Sequence, residues 1–237
     1  AEAYWIIQRA PKRARLHISY QNDIDNGISQ VGEVSQDNIF SLAIRKPNVT
    51  RKFINVKDIR FEVFNELGKC FSTEWFVSHR QYLPLLNLPA LDAFPVNKGT
   101  SLTNFELSLK LRFAYLERFI ETDYNRYTLG TKYPIVELML GKGISGVFNS
   151  AYNYTKYSLT IKDYMKISPY GTISYKVFGG KITGAMPFTN LENHPGNDLF
   201  YYGRNVYNLM NRFEYLSDQY AGVNLEHNIG SGIFRFI

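Results

Sequence analysis

The sequence predicts an all-β protein, namely part of an antiparallel transmembrane β-barrel with about eight to ten strands. Three observations carry this prediction. Apolar and polar residues alternate along one long segment and several shorter ones, aromatic residues make up 16% of the chain, and tight turns alternate with long loops. No shift in composition marks a domain boundary, so residues 1–237 are expected to form a single domain.

The longest alternating segment runs from Asn104 to Tyr115. Successive side chains of a strand point to opposite faces, so one face of this segment is apolar and the other carries charge. The segment is longer than the usual soluble strand of about 5 or 6 residues and matches the roughly 9 to 11 residues of a transmembrane strand. We expect its apolar side chains to contact lipid, and Glu106, Lys110 and Arg112 to face the lumen.

Further strands are predicted where the same alternation recurs between turn-forming residues. Asn65–Gly68 and Ser168–Gly171 are predicted to be tight turns. Polar composition or proline density predicts long loops at Asn22–Asn38, Tyr82–Thr103 and Lys181–Asn205. The predicted strands are Arg13–Gln21, Asp58–Phe64, Phe71–Ser78, Asn104–Tyr115, Tyr124–Gly130, Pro134–Leu140, Tyr152–Tyr164, Ile173–Val177, Asn211–Leu216 and Tyr220–Asn228.

Tyrosines are frequent near the ends of the predicted strands. A tyrosine ring suits hydrocarbon and its hydroxyl suits water, so such residues form aromatic girdles at the two boundaries of a membrane. The tyrosines assigned to a girdle are Tyr20, Tyr115, Tyr124, Tyr133, Tyr152, Tyr154 and Tyr164.

Alternation alone does not place a sheet in a membrane, because the strands of a soluble β-sandwich alternate too. The net charge and the distribution of the basic residues limit the classes of partner that the chain could bind. The net charge of +6 suits acidic lipid headgroups, nucleic acid or simple solubility. Because the basic residues do not gather in one stripe, nucleic acid is not expected as a partner. No run approaches the about 18 consecutive apolar residues of a membrane-spanning helix.

The charged residues on the polar sides of the predicted strands are candidate lumen-facing residues. They could line a conduction path, or they could pair across neighbouring strands and fill the lumen, and the sequence leaves both possibilities open. The candidates are Glu74, Glu106, Lys110, Arg112, Glu137, Lys156, Lys162 and Lys176.

A second candidate is a loop that contains Glu192, His194, Asn197 and Asp198. A carboxylate and an imidazole two residues apart suit cation binding or acid–base chemistry. The sequence His-Pro-Gly-Asn is also favourable for a turn, and we favour that interpretation.

Other motifs give no support to an enzyme. The four histidines are isolated, and none has the spacing of a metal site. Gly141, Gly143 and Gly146 imitate a phosphate-binding loop, but no Lys-Ser/Thr pair follows, so a hairpin rim or a strand bend is expected. The sequence therefore predicts no catalytic residue, no cofactor and no metal site.

An ordered series of segments spans most of the chain: Ser101–Tyr115, Tyr124–Pro134, Glu192–Asn197 and Asn208–His227. This series resembles a Bacteroidota outer-membrane family of unknown function. Its members join a carboxypeptidase-regulatory-like domain to a C-terminal barrel, which is distantly similar to the BamA and TamA type of surface-antigen barrel. The resemblance implies a segment of that barrel in the cell outer membrane, without the N-terminal periplasmic domain and the closing strands.

Together, the residues and the resemblance predict a non-enzymatic barrel protein that serves as a structural or assembly component of the cell envelope. The expected partners are outer-membrane lipid, lipopolysaccharide and other envelope proteins in a larger complex. Two alternatives remain at this point. One is a pore or transporter of the same architecture, and the other is a soluble β-sandwich that binds glycans.

Overall fold

The structure is a computed structural model. It describes residues 1–9, 12–25, 46, 53–86, 102–122, 126–168, 170–186, 188–197, 202, 206–211 and 213–230. Within this part of the chain, no helix is long and apolar enough to cross a membrane. The strands are β1 Glu2–Gln8, β2 Ala14–Asp25, β3 Phe53–Glu66, β4 Phe71–Leu86, β5 Leu102–Ala114, β6 Arg118–Glu121, β7 Arg126–Gly130, β8 Ile135–Gly143, β9 Asn153–Lys166, β10 Thr172–Ala185, β11 Glu192–Asn193, β12 Leu216–Ser217 and β13 Gln219–Asn228.

The fold is all-β, as predicted, and nine of its strands form one antiparallel sheet in the order β1-β2-β3-β4-β5-β8-β9-β10-β13. The strands β6 and β7 form a separate hairpin between β5 and β8, and β11 pairs with β12 between β10 and β13. Within the described residues the sheet does not close on itself, because β1 and β13 are its two edges.

The connections of the sheet differ between its two ends. Because neighbouring strands are antiparallel and almost all consecutive, alternate connections lie at the same end. One end, which we call the turn end, has the connections 9–13, 67–70, 115–134 and 167–171. The other end, which we call the loop end, has the connections 26–52, 87–101, 144–152 and 186–218.

Strand register gathers the apolar residues on one side of the sheet. Leu109 of β5 lies opposite Trp75 of β4 and Leu140 of β8, whereas Lys110 lies opposite Glu74. The side that we call the apolar face includes Trp5, Leu16, Ile18, Phe61, Val63, Trp75, Val77, Leu107, Leu109, Leu111, Leu138, Leu140, Leu159, Val177 and Val223. The side that we call the polar face includes Arg15, His17, Asp58, Glu62, Glu74, Arg80, Asn104, Glu106, Ser108, Lys110, Arg112, Glu137, Lys156, Lys162 and Lys176.

The exposure of the two faces is the reverse of that in a soluble sheet. Leu107 is 41% exposed and Leu225 is 68% exposed, although both lie on the apolar face. On the polar face, Glu106 is 5% exposed and Lys156 is 6% exposed. Charged side chains are almost never this buried unless they are paired, so the polar face is the packed interior of the molecule.

The buried apolar residues cluster at the loop end of the polar face. They come from strand ends and from Phe213, and Met186, Phe188 and Leu216 pack against them. These described residues between β10 and β13 therefore cover this end of the sheet. The cluster comprises Ile54, Tyr82, Leu102, Tyr152, Tyr154 and Phe213.

Several strands extend further than the sequence predicted. The strand β2 continues to Asp25, β4 to Leu86 and β10 to Ala185, so the predicted loops begin later than Asn22, Tyr82 and Lys181. Proline density was a misleading signal, since Pro84 lies within β4 opposite Ile54. The register of β3 and β4 shifts at that point, between Phe53 and Ile54. Proline, which has no N–H group to donate, is tolerated at such irregularities of strand pairing.

One predicted strand is wrong and another is confirmed. Asn211–Leu216 is not a strand, because only Leu216 and Ser217 pair, with β11. Tyr220–Asn228 is confirmed within β13. The described part of the predicted strand Tyr124–Gly130 is β7, which pairs with β6 outside the large sheet. Residues 26–38 of the predicted loop Asn22–Asn38 and residues 87–101 of the predicted loop Tyr82–Thr103 lie outside the described part of the chain.

The girdle assignment is wrong for two tyrosines. Tyr154 and Tyr152 are 1% and 8% exposed, because both pack into the core at the loop end. Tyr164 is exposed but shares the polar face with Ser174. Tyr20, Tyr115 and Tyr133 are exposed. Tyr124 is outside the described residues.

Candidate functional site

The most buried polar groups of the molecule meet on the polar face near the loop end. Tyr154 donates a hydrogen bond from its hydroxyl to Oε2 of Glu106 at 2.5 Å and accepts one from Nδ2 of Asn104 at 2.5 Å. Ser108 donates to the other carboxylate oxygen of Glu106 at 2.6 Å, and Nζ of Lys156 lies 3.4 Å from Oε2. Three side chains therefore contact one buried carboxylate, and Asn104 contacts one of the three. We call these five residues the Glu106 cluster.

Two glycines of β8 make the Glu106 cluster possible. The strand β8 lies between β5, which carries Glu106, and β9, which carries Tyr154 and Lys156. A Cβ atom at Gly143 would overlap the ring of Tyr154, and one at Gly141 would lie 3.3 Å from Oγ of Ser108. The side chains of β9 thus reach β5 across a gap in the side chains of β8. The sequence prediction of a hairpin rim or bend fails for Gly141, which lies inside β8. Gly143 is the last residue of β8, and Gly146 lies in the connection to β9 with a φ of +83°.

The charges around the Glu106 cluster alternate in sign across the sheet. Arg80 bonds to Asp58 with 3.3 Å between Nε and Oδ2, and the charges of Arg80 and Lys156 both act on Glu106. Glu192 of β11, which is 3% exposed, acts in turn on Lys156. Each buried charge thereby has an opposite charge on a neighbouring element, which is the condition for keeping ions out of water.

A second set of ion pairs extends along the polar face toward the turn end. Arg112 bonds Glu137 at 3.2 Å and Glu117 at 2.5 Å, and Lys162 lies 3.4 Å from Glu137. Burial opposes the ionisation of Glu117, but hydrogen bonds from Arg112 and Thr128 hold the pKa of its carboxyl below the ordinary value. These contacts tie the segment before β6 to the polar face.

The eight candidate charges predicted from the sequence all lie on the polar face. Glu74 pairs with Lys110 at 3.8 Å as well as with Arg15. Lys176 lies directly opposite Lys162 in the register of β9 and β10. The other five occur in the pairs described above. Of the two arrangements that the sequence left open, the structure contains pairing between strands.

Sequence reasoning missed Asp58, Arg80, Asn104 and Tyr154 as members of this network. Asp58 and Asn104 occupy polar positions of strands that were predicted, so their alternation was the available signal. Arg80 had no such signal, because it lies beyond the predicted end of its strand. Tyr154 occupies a polar-side position of the predicted strand Tyr152–Tyr164, but it was assigned to a girdle.

The Glu192 loop folds as part of the segment that covers the polar face. Nε2 of His194 lies 2.9 Å from Oγ of Ser217, and its ring contacts Tyr207 and Tyr220 edge to face. Asn197 donates from Nδ2 to Asn208 at 2.7 Å.

Burial lowers the pKa of the His194 imidazole below its ordinary value. Lys46 donates to the carbonyl oxygen of Asn197 at 2.7 Å. Asp198 lies outside the described residues. Glu192, His194 and Asn197 therefore each make contacts that hold this segment in place. No group of three or more His, Cys, Asp or Glu side chains among the described residues could hold a metal ion.

An open cavity of about 540 Å³ lies on the polar face nearer the turn end. Its wall includes Lys162, Lys176 and Asn224 of adjacent strands. The polar face is therefore packed at the loop end and partly open at the other.

Fold and site define a class of protein: an all-β chain with one large antiparallel sheet, whose apolar face is exposed and whose polar face is buried and ion-paired. The chain belongs to a family of unknown function, DUF5686, whose C-terminal domain matches residues 60–237. No curated protein and no solved structure matches the chain.

Proposed function

We propose that the nine-stranded sheet is part of the wall of a transmembrane β-barrel in the bacterial outer membrane, where it serves as a non-enzymatic structural or assembly component of the envelope. The single observation that carries the proposal is the reversed exposure of the two faces. A sheet in water hides its apolar face, whereas a barrel wall in lipid turns that face outward and keeps polar groups inside.

The exposed apolar surface is too extensive for a sheet in water. Ile59, Trp75 and Leu159 lie on three different strands of the apolar face and are 51%, 55% and 45% exposed. Contiguous apolar patches of more than a few hundred Å² mark membrane or protein contacts. No second sheet packs on this face within the described residues, since the small sheets β6-β7 and β11-β12 contact the polar face.

The apolar stretch of one strand covers most of the apolar band of a membrane barrel. From Phe105 to Phe113 the outward residues of β5 are all apolar, which at about 3.4 Å per residue is roughly 27 Å along the strand. At the tilt of about 35–45° that is usual in barrels, this stretch rises about 19–22 Å along the membrane normal, compared with an apolar band of about 25 Å in outer-membrane barrels.

Closure of the barrel is part of the proposal. An unpaired edge strand in lipid leaves backbone N–H and C=O groups without partners, which costs several kcal/mol for each group. The strands β1 and β13 must therefore gain neighbours in the membrane, from further strands or from another protein. The resemblance to a Bacteroidota outer-membrane family supports both the compartment and a longer barrel.

The paired charges favour a structural role over conduction. Charged side chains on the polar face form ion pairs between strands, and Met186, Phe188, Phe213 and Leu216 pack at the loop end. Such an arrangement suits a wall that must keep its shape while other envelope proteins, lipid and lipopolysaccharide contact it.

A pore or transporter is the second candidate function, and the cavity beside Lys162 and Lys176 favours it. Planar-bilayer recordings of the folded full-length protein separate the two. Conductance steps with charge selectivity would support a pore, and none above background would support the structural role.

Cell fractionation tests the proposal itself. We expect the full-length protein in the outer-membrane fraction, resistant to washing with alkaline carbonate and released by detergent. A soluble periplasmic protein that needs no detergent would contradict it and would favour the glycan-binding β-sandwich.

A further inference from the structure

The charged residues on the apolar face are few and segregated by end. In the described strands of the large sheet, and apart from histidine, they are Lys57, Lys142, Lys181 and Asp163. The three lysines lie in the half of the sheet nearest the loop end, and the carboxylate lies near the turn end. All three lysines are exposed. This face is thus positive at the loop end.

Two of these lysines flank one strand. Lys142 of β8 lies opposite Thr155 of β9, and Lys181 of β10 lies opposite Tyr157 of β9. Two strand spacings and one step of two residues separate their Cα atoms by roughly 12 Å. Nζ of Lys142 donates to Oγ1 of Thr155 at 3.2 Å, so its ammonium group is directed over β9 toward Lys181.

The surface directly toward the turn end is apolar and has a shallow groove. Leu159, Gly179 and Ala221 are adjacent in register on neighbouring strands, and Val177 and Val223 follow in the next row. Gly179 has no side chain and Ala221 has only a methyl group, so less side-chain volume stands on this row of the surface beside Leu159. A pair of cations above an apolar groove is complementary to an amphiphile with anionic groups at its head.

The presence of two cations favours an anionic lipid that carries two phosphate groups. A phospholipid headgroup carries one phosphate, whereas lipid A of lipopolysaccharide carries phosphates at both ends of a disaccharide. Outer-membrane barrels place their longer loops on the extracellular side, where lipopolysaccharide is the lipid of the adjoining leaflet. The loop end of this sheet would therefore lie in that leaflet.

We propose that Lys142 and Lys181, with Thr155 and Tyr157 between them, bind the two phosphate groups of lipopolysaccharide, whose acyl chains lie along Leu159 and Gly179. This site rests on the proposed function, because it requires the apolar face to contact lipid. It adds a defined lipid partner and an orientation: the loop end points out of the cell.

The test is lipid retention by the full-length protein, measured by native mass spectrometry after extraction in mild detergent. The double variant Lys142→Gln/Lys181→Gln removes both cations. Its matched control, Lys132→Gln/Lys166→Gln, removes two exposed lysines at the turn end. Three probes are added separately to delipidated protein: lipid A with two phosphates, lipid A with one phosphate, and phosphatidylglycerol.

We expect the parent to bind lipid A with two phosphates most tightly, and the double variant to bind it at least about tenfold more weakly, because each lysine near a charged surface contributes about 1 kcal/mol. The control should stay within about twofold of the parent, since exposed charges at a distance are screened. Each single variant should bind lipid A with an affinity between those of the parent and the double variant. If the double variant fails to fold, the single variants still test the site.

Equal binding of lipid A by the parent and the double variant would overturn the site, as would equal binding of phosphatidylglycerol and lipid A by the parent. These failures differ from failure of the proposed function. A protein that is soluble without detergent would contradict both the proposed function and the lipid site. An integral membrane protein whose lipid A binding does not depend on the two lysines would contradict the lipid site alone.

Discussion

Leu159 and Thr160 are neighbours on β9, yet they point to opposite faces of the sheet and have opposite surroundings. Leu159 is 45% exposed among other apolar side chains, whereas Thr160 lies on the polar face, opposite Glu137 and Phe178. The same strands therefore present one surface without polar partners and another in which charges are paired and buried. The comparison teaches that the packed interior of this chain is its polar face.

The largest effect is expected from breaking the Glu106 cluster. Glu106→Gln leaves Lys156 buried without its carboxylate, and removal of one partner of a buried pair costs about 3–5 kcal/mol. Urea unfolding of the protein in lipid vesicles, followed by tryptophan fluorescence, measures the change. Glu121→Gln is the control, because its partner Arg13 is 3.9 Å away and Glu121 is partly exposed, so its loss should cost less than about 1 kcal/mol.

The rescue variant Glu106→Gln/Lys156→Met sharpens this prediction. Removing both charges should recover most of the lost stability, since an apolar replacement of a buried pair is often neutral. An additive double-mutant cycle would show that the two side chains do not act as a pair.

A charge on the apolar face should cost less than the loss of Glu106 but more than the same charge on the polar face. Leu159→Lys should destabilise the folded protein by about 2–4 kcal/mol in lipid, the cost of a lysine near the midplane of a barrel. Thr160→Lys places the same ammonium group beside Glu137 and should cost less than about 1 kcal/mol. Similar, small costs in the same vesicle assay would mean that both faces contact water.

The stability of the protein should depend on the absence of a side chain at Gly143 of β8. Gly143→Ala places a Cβ atom on the ring of Tyr154 and should cost about 1–3 kcal/mol through overpacking. Gly141→Ala is the matched control, because its nearest neighbours are 3.3 Å or more away and can shift slightly. Thermal unfolding of the two variants compares them, and equal melting temperatures would contradict the packing described for Tyr154.

The smallest effect is expected from pH, in the segment that covers the polar face. The pKa of His194 is lowered in the folded protein, so the unfolded chain binds the proton more tightly. The stability contributed by neutral His194 is therefore full above about pH 6.5 and falls as the pH drops below that value.

Hydrogen exchange at residues 192–197 should accelerate between pH 7 and pH 5 beyond the intrinsic change. His194→Gln should abolish this excess. An excess that persists in the variant would assign the pH effect to another group.

Alternation predicted much of this structure because side-chain direction in a strand has a period of two. It placed all eight candidate charges on one face and the alternate residues Phe105, Leu107, Leu109, Leu111 and Phe113 on the other. It could not predict Tyr154, whose tyrosine-rich setting resembled a membrane boundary, since its burial depends on Gly143 one strand away. Strand ends were predicted too short at Pro84 and Lys181, because the partner strand decides whether a proline or a polar residue can remain in the ladder.

The sequence favoured a turn over a binding or acid–base role for the Glu192 loop, but it could not predict the partners of this loop. His194 and Asn197 find partners at Ser217 and Asn208, which are 23 and 11 residues away in the chain. Local turn chemistry carries no information on such partners, because the contacts between this segment and the polar face join residues far apart in the chain.

Contact between the apolar face and lipid is the central claim, and the two tryptophans of the chain report on it directly. Trp5 and Trp75 both lie on the apolar face and are 53% and 55% exposed. In vesicles of phospholipid with brominated acyl chains, a Trp5→Phe variant should show strong quenching of Trp75 and little quenching by aqueous acrylamide. Moving the indole to the polar face with Trp5→Phe/Trp75→Phe/Phe76→Trp should abolish the lipid quenching. Equal lipid quenching of the two variants, or none in either, would contradict the assignment of the faces.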